Sequence, residues 1–336
     1  MRHSPRRFSI KLSDGDLRRL HVFCAVTRCG GFAAAESELQ MGLPSISRVI
    51  KDLEIRLGVR LCQRGRVGFE LTEQGRHVYA ASLQLTADLK RFEANMSSIH
   101  SVLAGTLTLG LIDTLITDSN LPLPRLLKEY KRRHAHVEFN IQTKATNTIE
   151  QSVIDGSLDA GLVVGRRHIN QLDYRPLYRE RLSLYCSEEH PLFHEDLSSI
   201  SIEEVSRYDY AGYSSLEDSN QSGPTRLLVT RARADSVEAL ATLVSSGCFT
   251  ALLPDHYVNS VWRLKNFRAI LPEIISISVD IELVTRHGTF SPLVLTLLDL
   301  MDDIGVPLPA EDAVTTLLER FNGRRPVNAG LGASVA

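Results

Sequence analysis

The chain has 336 residues, of which 43% are hydrophobic and 23% charged, with a formal net charge of -2. Such values belong to an ordinary globular protein of two or three compact units, and they exclude wholesale disorder. Cys24, Cys29, Cys62, Cys186 and Cys248 are scattered with no C-x-x-C pair, which argues against a disulfide framework or a zinc ribbon, and no apolar run approaches the length that crosses a bilayer.

Residues 1–15 read as a flexible basic arm. Their start, SPRRFSIKLSDGDLRRL, resembles a twin-arginine export signal only faintly, because charged residues stand where an apolar segment is required. A cytoplasmic protein is expected.

Residues 16–75 form the next segment. Leu17, Leu20, Phe23, Cys24 and Val26 follow the spacing of an amphipathic helix, which Gly30 and Gly31 stop. FAAAESEL suggests a short alanine-rich helix. In LQMGLPSISRVIKDLEIRL, Pro44 suits a first helical turn and Gly42 a cap. Ile46, Val49, Ile50, Leu53 and Leu57 share one side of that helix, while Pro44, Ser47, Arg48 and Lys51 project from the other. GVRLCQRGRVGFELT alternates and carries three glycines, as a two-stranded hairpin does, with Arg64 and Arg66 near its tip. Between 43 and 68, six cations (Arg48, Lys51, Arg56, Arg60, Arg64, Arg66) face only Asp52 and Glu54. A helix-turn-helix beside a basic hairpin matches a known way of reading duplex DNA.

From Thr72, a plausible N-cap, the pattern becomes a seven-residue repeat. Val78, Leu85, Phe92 and Ile99 hold one register, and Ser82, Leu89, Met96 and Leu103 the other. This is a coiled-coil seam, so residues 76–103 are expected to be a dimerising linker helix.

Residues 104–305 alternate strands with helices: TLTLGLID, LPRLLKEYKRRH, VEFNIQT, TIEQSVIDGSL and DAGLVV. A second series follows, through LSLYC, a weakly patterned stretch over 187–225, a strand near 226–233, a helix over 236–246 and FTALLP. VDIELVT and PLVLTLLDLMDDI close the domain. Parallel βαβ units in two lobes are expected, lobe one being 104–165 with 278–305 and lobe two 166–277. Residues 306–336 read as a tail with one short helix, EDAVTTLLERF, and the rest disordered.

These elements together resemble a LysR-type transcriptional regulator. The resemblance rests on LRRLHVF, GGFAAAESEL, PSISRVIKDLEIRLGVRL, LTEQG, TLTLG, LDAGLVV and LVSSGCFTALLP, and it runs from Asp16 to Ile304. It implies an α/β multidomain chain: a winged helix-turn-helix, a long linker helix and a two-lobed effector domain similar to periplasmic solute-binding proteins. It further implies homotetramers that bind promoter DNA and alter its bending when a small metabolite enters the cleft. The family's base and phosphate contacts fall on Pro44, Ser45, Ser47 and Arg48 in the second helix and on Arg64 in the wing. Lys51 and Arg66 add charge to the same face. Gly42 and Leu43 stand where the family often has serine and glutamine, so an amide is lost and Leu43 is available to a thymine methyl. Cys62 replaces a wing phenylalanine.

Ligands of two-lobed α/β domains bind beyond the carboxyl ends of the strands, near helix N-termini. Ile112, Asp113 and Thr114 end the first strand, Thr146 and Asn147 precede a helix, Gly165 lies at the first crossing between lobes, and Phe249 follows a glycine turn. Thr114 and Asn147 are equally well explained as helix caps. A carboxylate at Asp113 would repel an anion; it selects an amine or hydroxyl or, more plainly, faces solvent.

His134 and His136 end a helix beside three cations and read as a solvated face. Cys186 and Cys248 adjoin apolar strands and read as buried thiols. The chain has no phosphate-binding glycine loop, H-E-x-x-H helix or G-x-S-x-G elbow, so no cofactor, metal or catalysis is expected. A solute-binding protein whose N-terminal helices serve assembly, or an enzyme built on the two-lobed domain, are the alternatives.

Overall fold

A computed structural model describes residues 12–65, 68–99, 103–165, 167–214, 223–288 and 291–305. Most of the basic arm, the wing tip with Arg66 and the tail from 306 lie outside the described residues. The chain forms two compact units, one reaching Glu93 together with Asp155–Ser157, the other taking Ala94–Ile154 and the residues from Leu158 on. No helix among the described residues is long and apolar enough to cross a membrane.

In the first unit, α1 (Asp14–Arg28) starts where the Ser13 N–H and hydroxyl both donate to the Asp16 carboxylate, at 2.9 and 2.8 Å, which satisfies the opening turn. Leu20, Phe23 and Val26 are buried, and Gly30, at φ +74°, ends the helix region. The second helix, α2 (Glu36–Leu39), is shorter than FAAAESEL suggests. Phe32 and Ala35 are buried within turns, because Phe32 has to reach Phe69, edge-on at 5.7 Å between ring centroids, directly after the glycine pair. Gly42 then caps α3 (Leu43–Leu57), Pro44 lies in its first turn, and Gly58 ends it at φ +68°. Strands β1 (Cys62–Gly65) and β2 (Gly68–Leu71) pair antiparallel with Arg64 opposite Phe69.

Helix α4 (Glu73–Ile99) is capped by Thr72, whose hydroxyl oxygen accepts from Gly75 N–H at 2.8 Å. Its 27 residues extend roughly 40 Å. The heptad pattern divides along its length. Val78 and Leu85 pack into the first unit's own core and Ser82 is buried, whereas Leu89, Phe92 and Met96 are 42%, 60% and 41% exposed. The early heptads therefore staple the helix to its own domain, and the uncovered stripe runs from Leu89 to Met96.

The second unit is one sheet shared by two lobes. Strand β3 (Gly105–Leu111) leads to α5 (Leu123–Arg133), β4 (Val137–Thr143), α6 (Thr146–Ile154) and β5 (Ala160–Val164). β3 pairs in parallel with β4 and β5, as βαβ connections require. The chain then crosses on β6 (Leu172–Cys186) to α7 (Ile202–Val205), β7 (Asp209–Tyr213), β8 (Val229–Ala234), α8 (Val237–Ser245), β9 (Thr250–Pro254) and α9 (Asp255–Ser260). It returns through β10 (Arg268–Ala269) and β11 (Ser276–Arg286) to α10 (Pro292–Ile304).

The strands lie in the order β4-β3-β5-β11-β6-β9-β7-β8, with β10 beside β6. The long antiparallel pair β6 and β11 belongs to both lobes, running from Ser183 opposite Ser276 to Leu172 opposite Arg286. LSLYC is only the last third of β6. The earlier part is masked in the sequence by Pro176 and alternating charge, and the chain tolerates that proline because the register shifts beside it, between Ile281 and Glu282. Strand β7 likewise falls inside the stretch that carries little pattern. One core fills lobe one and the shared strands; a smaller one lies under α8 in lobe two.

Candidate functional site

On α3 the buried stripe is Ile46, Ile50 and Leu53, at no more than 2% exposure each. On the far side Pro44, Ser45, Arg48 and Lys51 are exposed and Ser47 is half-buried. Leu43 is exposed at the same end. Arg64 sits in β1, within the basic hairpin that follows the helix. The face is thus a short proline-led edge of hydroxyls and cations with an apolar back that anchors it.

Three acidic side chains fix its attitude. Glu36 in α2 accepts a hydrogen bond from Leu43 N–H at the mouth of α3. Glu54, one turn from the end of α3, accepts from Leu61 N–H at 2.8 Å and Cys62 N–H at 3.4 Å, tying the helix to the base of the wing. Asp16 receives Arg56 at 3.4 Å, so this cation is directed toward α1 and away from the polar edge. Hydrogen bonds from Ser13, ahead of the charge of Arg56, hold the Asp16 carboxyl below its usual range.

In the second unit a cleft of about 530 Å³, open mouth included, separates the lobes. Asp113, Thr114 and Thr146 line it from lobe one, Tyr213, Val237 and Pro254 from lobe two, and Glu180 from β6. Thr114 stands in the left-handed region at φ +64°, a conformation costly for a β-branched residue and common where a site demands it. Its carbonyl accepts from the N–H and hydroxyl of Thr117. Thr146 is buried and its hydroxyl oxygen accepts from Val164 N–H at 3.2 Å.

Asp113 does not face solvent. Its carboxylate reaches across to lobe two and accepts from Val237 N–H at 2.6 Å, at the first turn of α8. Burial raises its pKa, and the Val237 hydrogen bond only partly offsets this.

The other three residues singled out in the sequence are placed elsewhere. Asn147 is exposed, with its Oδ1 accepting from Thr148 N–H. Gly165 donates to the Asp280 carbonyl at 2.6 Å, and a Cβ there would lie 2.8 Å from the Glu282 carboxyl. Phe249 packs against the core of lobe two. Among the lining residues that sequence reasoning missed, Glu180 and Tyr213 sit on strands whose alternation went unread. Cys186 is buried, which pushes its thiol up to about 11. Cys248 is exposed, contrary to expectation, since it lies in the turn that precedes β9.

A winged helix-turn-helix followed by a long helix and a two-lobed α/β domain is the architecture of a ligand-responsive DNA-binding regulator. Residues 17–76 match the family described as bacterial regulatory helix-turn-helix protein, lysR family, and residues 100–304 match the LysR substrate binding domain. The chain is 37% identical to the HTH-type transcriptional activator BauR of Pseudomonas aeruginosa over 285 residues, covering 85% of this chain and 93% of BauR. The fold is similar to that of full-length CbnR complexed with its target DNA, with a TM-score of 0.59 and 17% identity, covering 85% of this chain and 99% of that one. Full-length OxyR from Pseudomonas aeruginosa gives a TM-score of 0.61 at 19% identity, covering 90% and 100%. The chain belongs to the LysR family of transcriptional regulators: it is a DNA-binding regulator carrying an effector-binding domain.

Proposed function

We propose that α3 enters the major groove of promoter DNA with Pro44, Ser45, Ser47 and Arg48 at the base edges and nearest phosphates. Lys51 neutralises backbone charge, and Arg64 and Arg66 of the wing hold the adjacent backbone or minor groove. The observation that carries this reading is the exposed proline, hydroxyl and cation edge directly opposite the buried Ile46, Ile50 and Leu53 stripe. The uncovered Leu89, Phe92 and Met96 stripe supports pairing of two linker helices, which places two copies of α3 on an inverted repeat; the family resemblance extends this to a tetramer. Such a protein acts in the cytoplasm and needs no catalysis.

The effector is proposed to bind in the cleft between the lobes. The charged groups lining it are Asp113 and Glu180, with no lysine, arginine or histidine among the described lining residues. That polarity suits a small molecule presenting an amine or hydroxyl donors and disfavours a bare polyanion.

The test is a gel-shift series with promoter fragments. Arg48→Ala is expected to weaken specific binding by about 1–3 kcal/mol, and affinity is expected to fall steeply with added salt. Equal binding by Arg48→Ala and the parent removes α3 from the groove.

A further inference from the structure

Beneath the cleft floor, three groups from three elements converge. Asp118 follows the single turn Leu115–Thr117 in lobe one, Glu180 comes from β6, and His256 from α9 in lobe two. His256 Nε2 lies 2.7 Å from Glu180 Oε1 and 3.6 Å from Asp118 Oδ2, and one ligand atom from each residue fits within 4.8 Å of the others. The Asp118 side chain is fully buried and Glu180 is 7% exposed, while His256 retains 17% exposure.

The hydrogen bonds around His256 orient its ring. Thr117 gives its hydroxyl proton to the Thr114 carbonyl at 2.8 Å. Its oxygen therefore accepts from the imidazole, 2.8 Å away at Nδ1, so Nδ1 carries the hydrogen and Nε2 is aimed at the two carboxylates. An imidazole anchored through Nδ1–H, with Nε2 facing acids, has the orientation of a metal ligand.

Two further observations point into the same space. Asp118 Oδ1 accepts from Asn120 N–H at 2.8 Å, but Oδ2 accepts no hydrogen bond of ordinary geometry among the described residues, although it is buried. The Tyr178 hydroxyl, also without a hydrogen bond of ordinary geometry, is buried and lies near enough to interact with the Asp118 carboxylate. No lysine or arginine pairs with Asp118 or Glu180 among the described residues. Two buried carboxylates facing one imidazole carry excess negative charge, which is costly in a low-dielectric interior.

We infer that Asp118, Glu180 and His256 form a binding site for a divalent transition metal of the Zn²⁺ type, tying the two lobes together under the cleft. One imidazole nitrogen and two carboxylate oxygens suit Zn²⁺ or a similar first-row ion better than Ca²⁺ or Mg²⁺, which prefer oxygen alone. Neutral imidazole, two carboxylates and a dication sum to zero charge. The ion replaces the proton between His256 Nε2 and Glu180, which leaves to solvent. Ligand atoms of a tetrahedral zinc stand roughly 3.3–3.5 Å apart, so the Asp118 contact already fits and the Glu180 contact has to open by less than about 1 Å. The inference rests on the convergence of the three side chains and shares only Glu180 with the cleft lining.

The full chain, stripped with chelator and dialysed, is titrated with Zn²⁺ by calorimetry and with Co²⁺ by visible absorption. One saturable ion per chain is expected, with Co²⁺ bands of a nitrogen and oxygen site and no thiolate charge transfer. Thr117→Val is expected to weaken binding about 10–100-fold by releasing Nδ1, and Thr117→Ser to restore it. Asp118→Asn abolishes the site, and a His134→Gln, His136→Gln double variant leaves it unchanged. X-ray absorption of the wild-type zinc complex decides the matter even if Asp118→Asn does not fold: one imidazole among oxygen ligands supports the site, and sulfur or several imidazoles overturn it. Absence of saturable Zn²⁺ binding, or unaltered affinity in folded Asp118→Asn, also overturns it.

Discussion

The carboxylate of Asp113, at the end of β3, caps α8 by accepting from Val237 N–H at 2.6 Å, so a side chain of one lobe closes the first helical turn of the other. An anion at a helix N-terminus is favourable by itself, yet burial leaves the Asp113 pKa above its ordinary value of 3.8. A raised carboxyl contributes stability that is fully present below the unfolded pKa and is lost as pH rises through the folded pKa. Asp113→Asn, which resembles the protonated form, is therefore expected to be more stable than the parent at neutral pH, with the difference shrinking as pH falls through the raised folded pKa and closed below 3.8. Urea unfolding across that range checks it; a pH-independent loss of stability in the variant sinks it.

Asp16 has the opposite sign. Ser13 holds its carboxyl below 3.8, so it stabilises the first unit above the unfolded value, and that stability is lost as pH falls through the lower folded pKa. Asp16→Asn is expected to lower stability at neutral pH and to flatten the acid limb of the unfolding curve. Circular dichroism during acid titration measures both, and an unchanged acid limb would mean that Asp16 does not carry this dependence.

Glu54 joins α3 to the wing through Leu61 N–H and Cys62 N–H. Glu54→Ala leaves both amides without that acceptor and is expected to cost about 1–3 kcal/mol in denaturant unfolding. Because the wing base shifts against α3, DNA affinity is expected to drop similarly on specific and unrelated sequences. Selective loss on one operator would point to a direct base contact by Glu54 instead.

Gly75, in the first turn of α4, brings the helix against the wing: a Cβ there would lie 1.9 Å from the Leu61 carbonyl oxygen. Backbone cannot move aside as a flexible side chain does, so Gly75→Ala is expected to destabilise the first unit by at least about 1–3 kcal/mol. A melting temperature equal to the parent's would refute the close packing of α4 on the wing.

The α3 helix was legible because everything that specifies it is local. Gly42, Pro44, Gly58 and the Ile46, Ile50, Leu53 stripe lie within 17 residues, and together they mark the start, the stop and the inward face. The α4 heptads were legible as a period but not as a partner. Val78 and Leu85 meet their own domain and Leu89, Phe92 and Met96 do not, although the pattern is the same in both halves. Asn147 and Phe249 carried the residue types of a binding site, yet one is a local turn contact and the other a packing contact.

Sequence alone determined the order of domains, the polar outward edge of α3 and the βαβ connections, since periodicity, caps and turns act over a few residues and survive in one dimension. Tertiary structure decided that Asp113 meets Val237 and that Asp118, Glu180 and His256 converge. Those partners are brought together by long-range strand pairing, above all by β6 and β11, and no local pattern records which distant residues a shared sheet will place side by side.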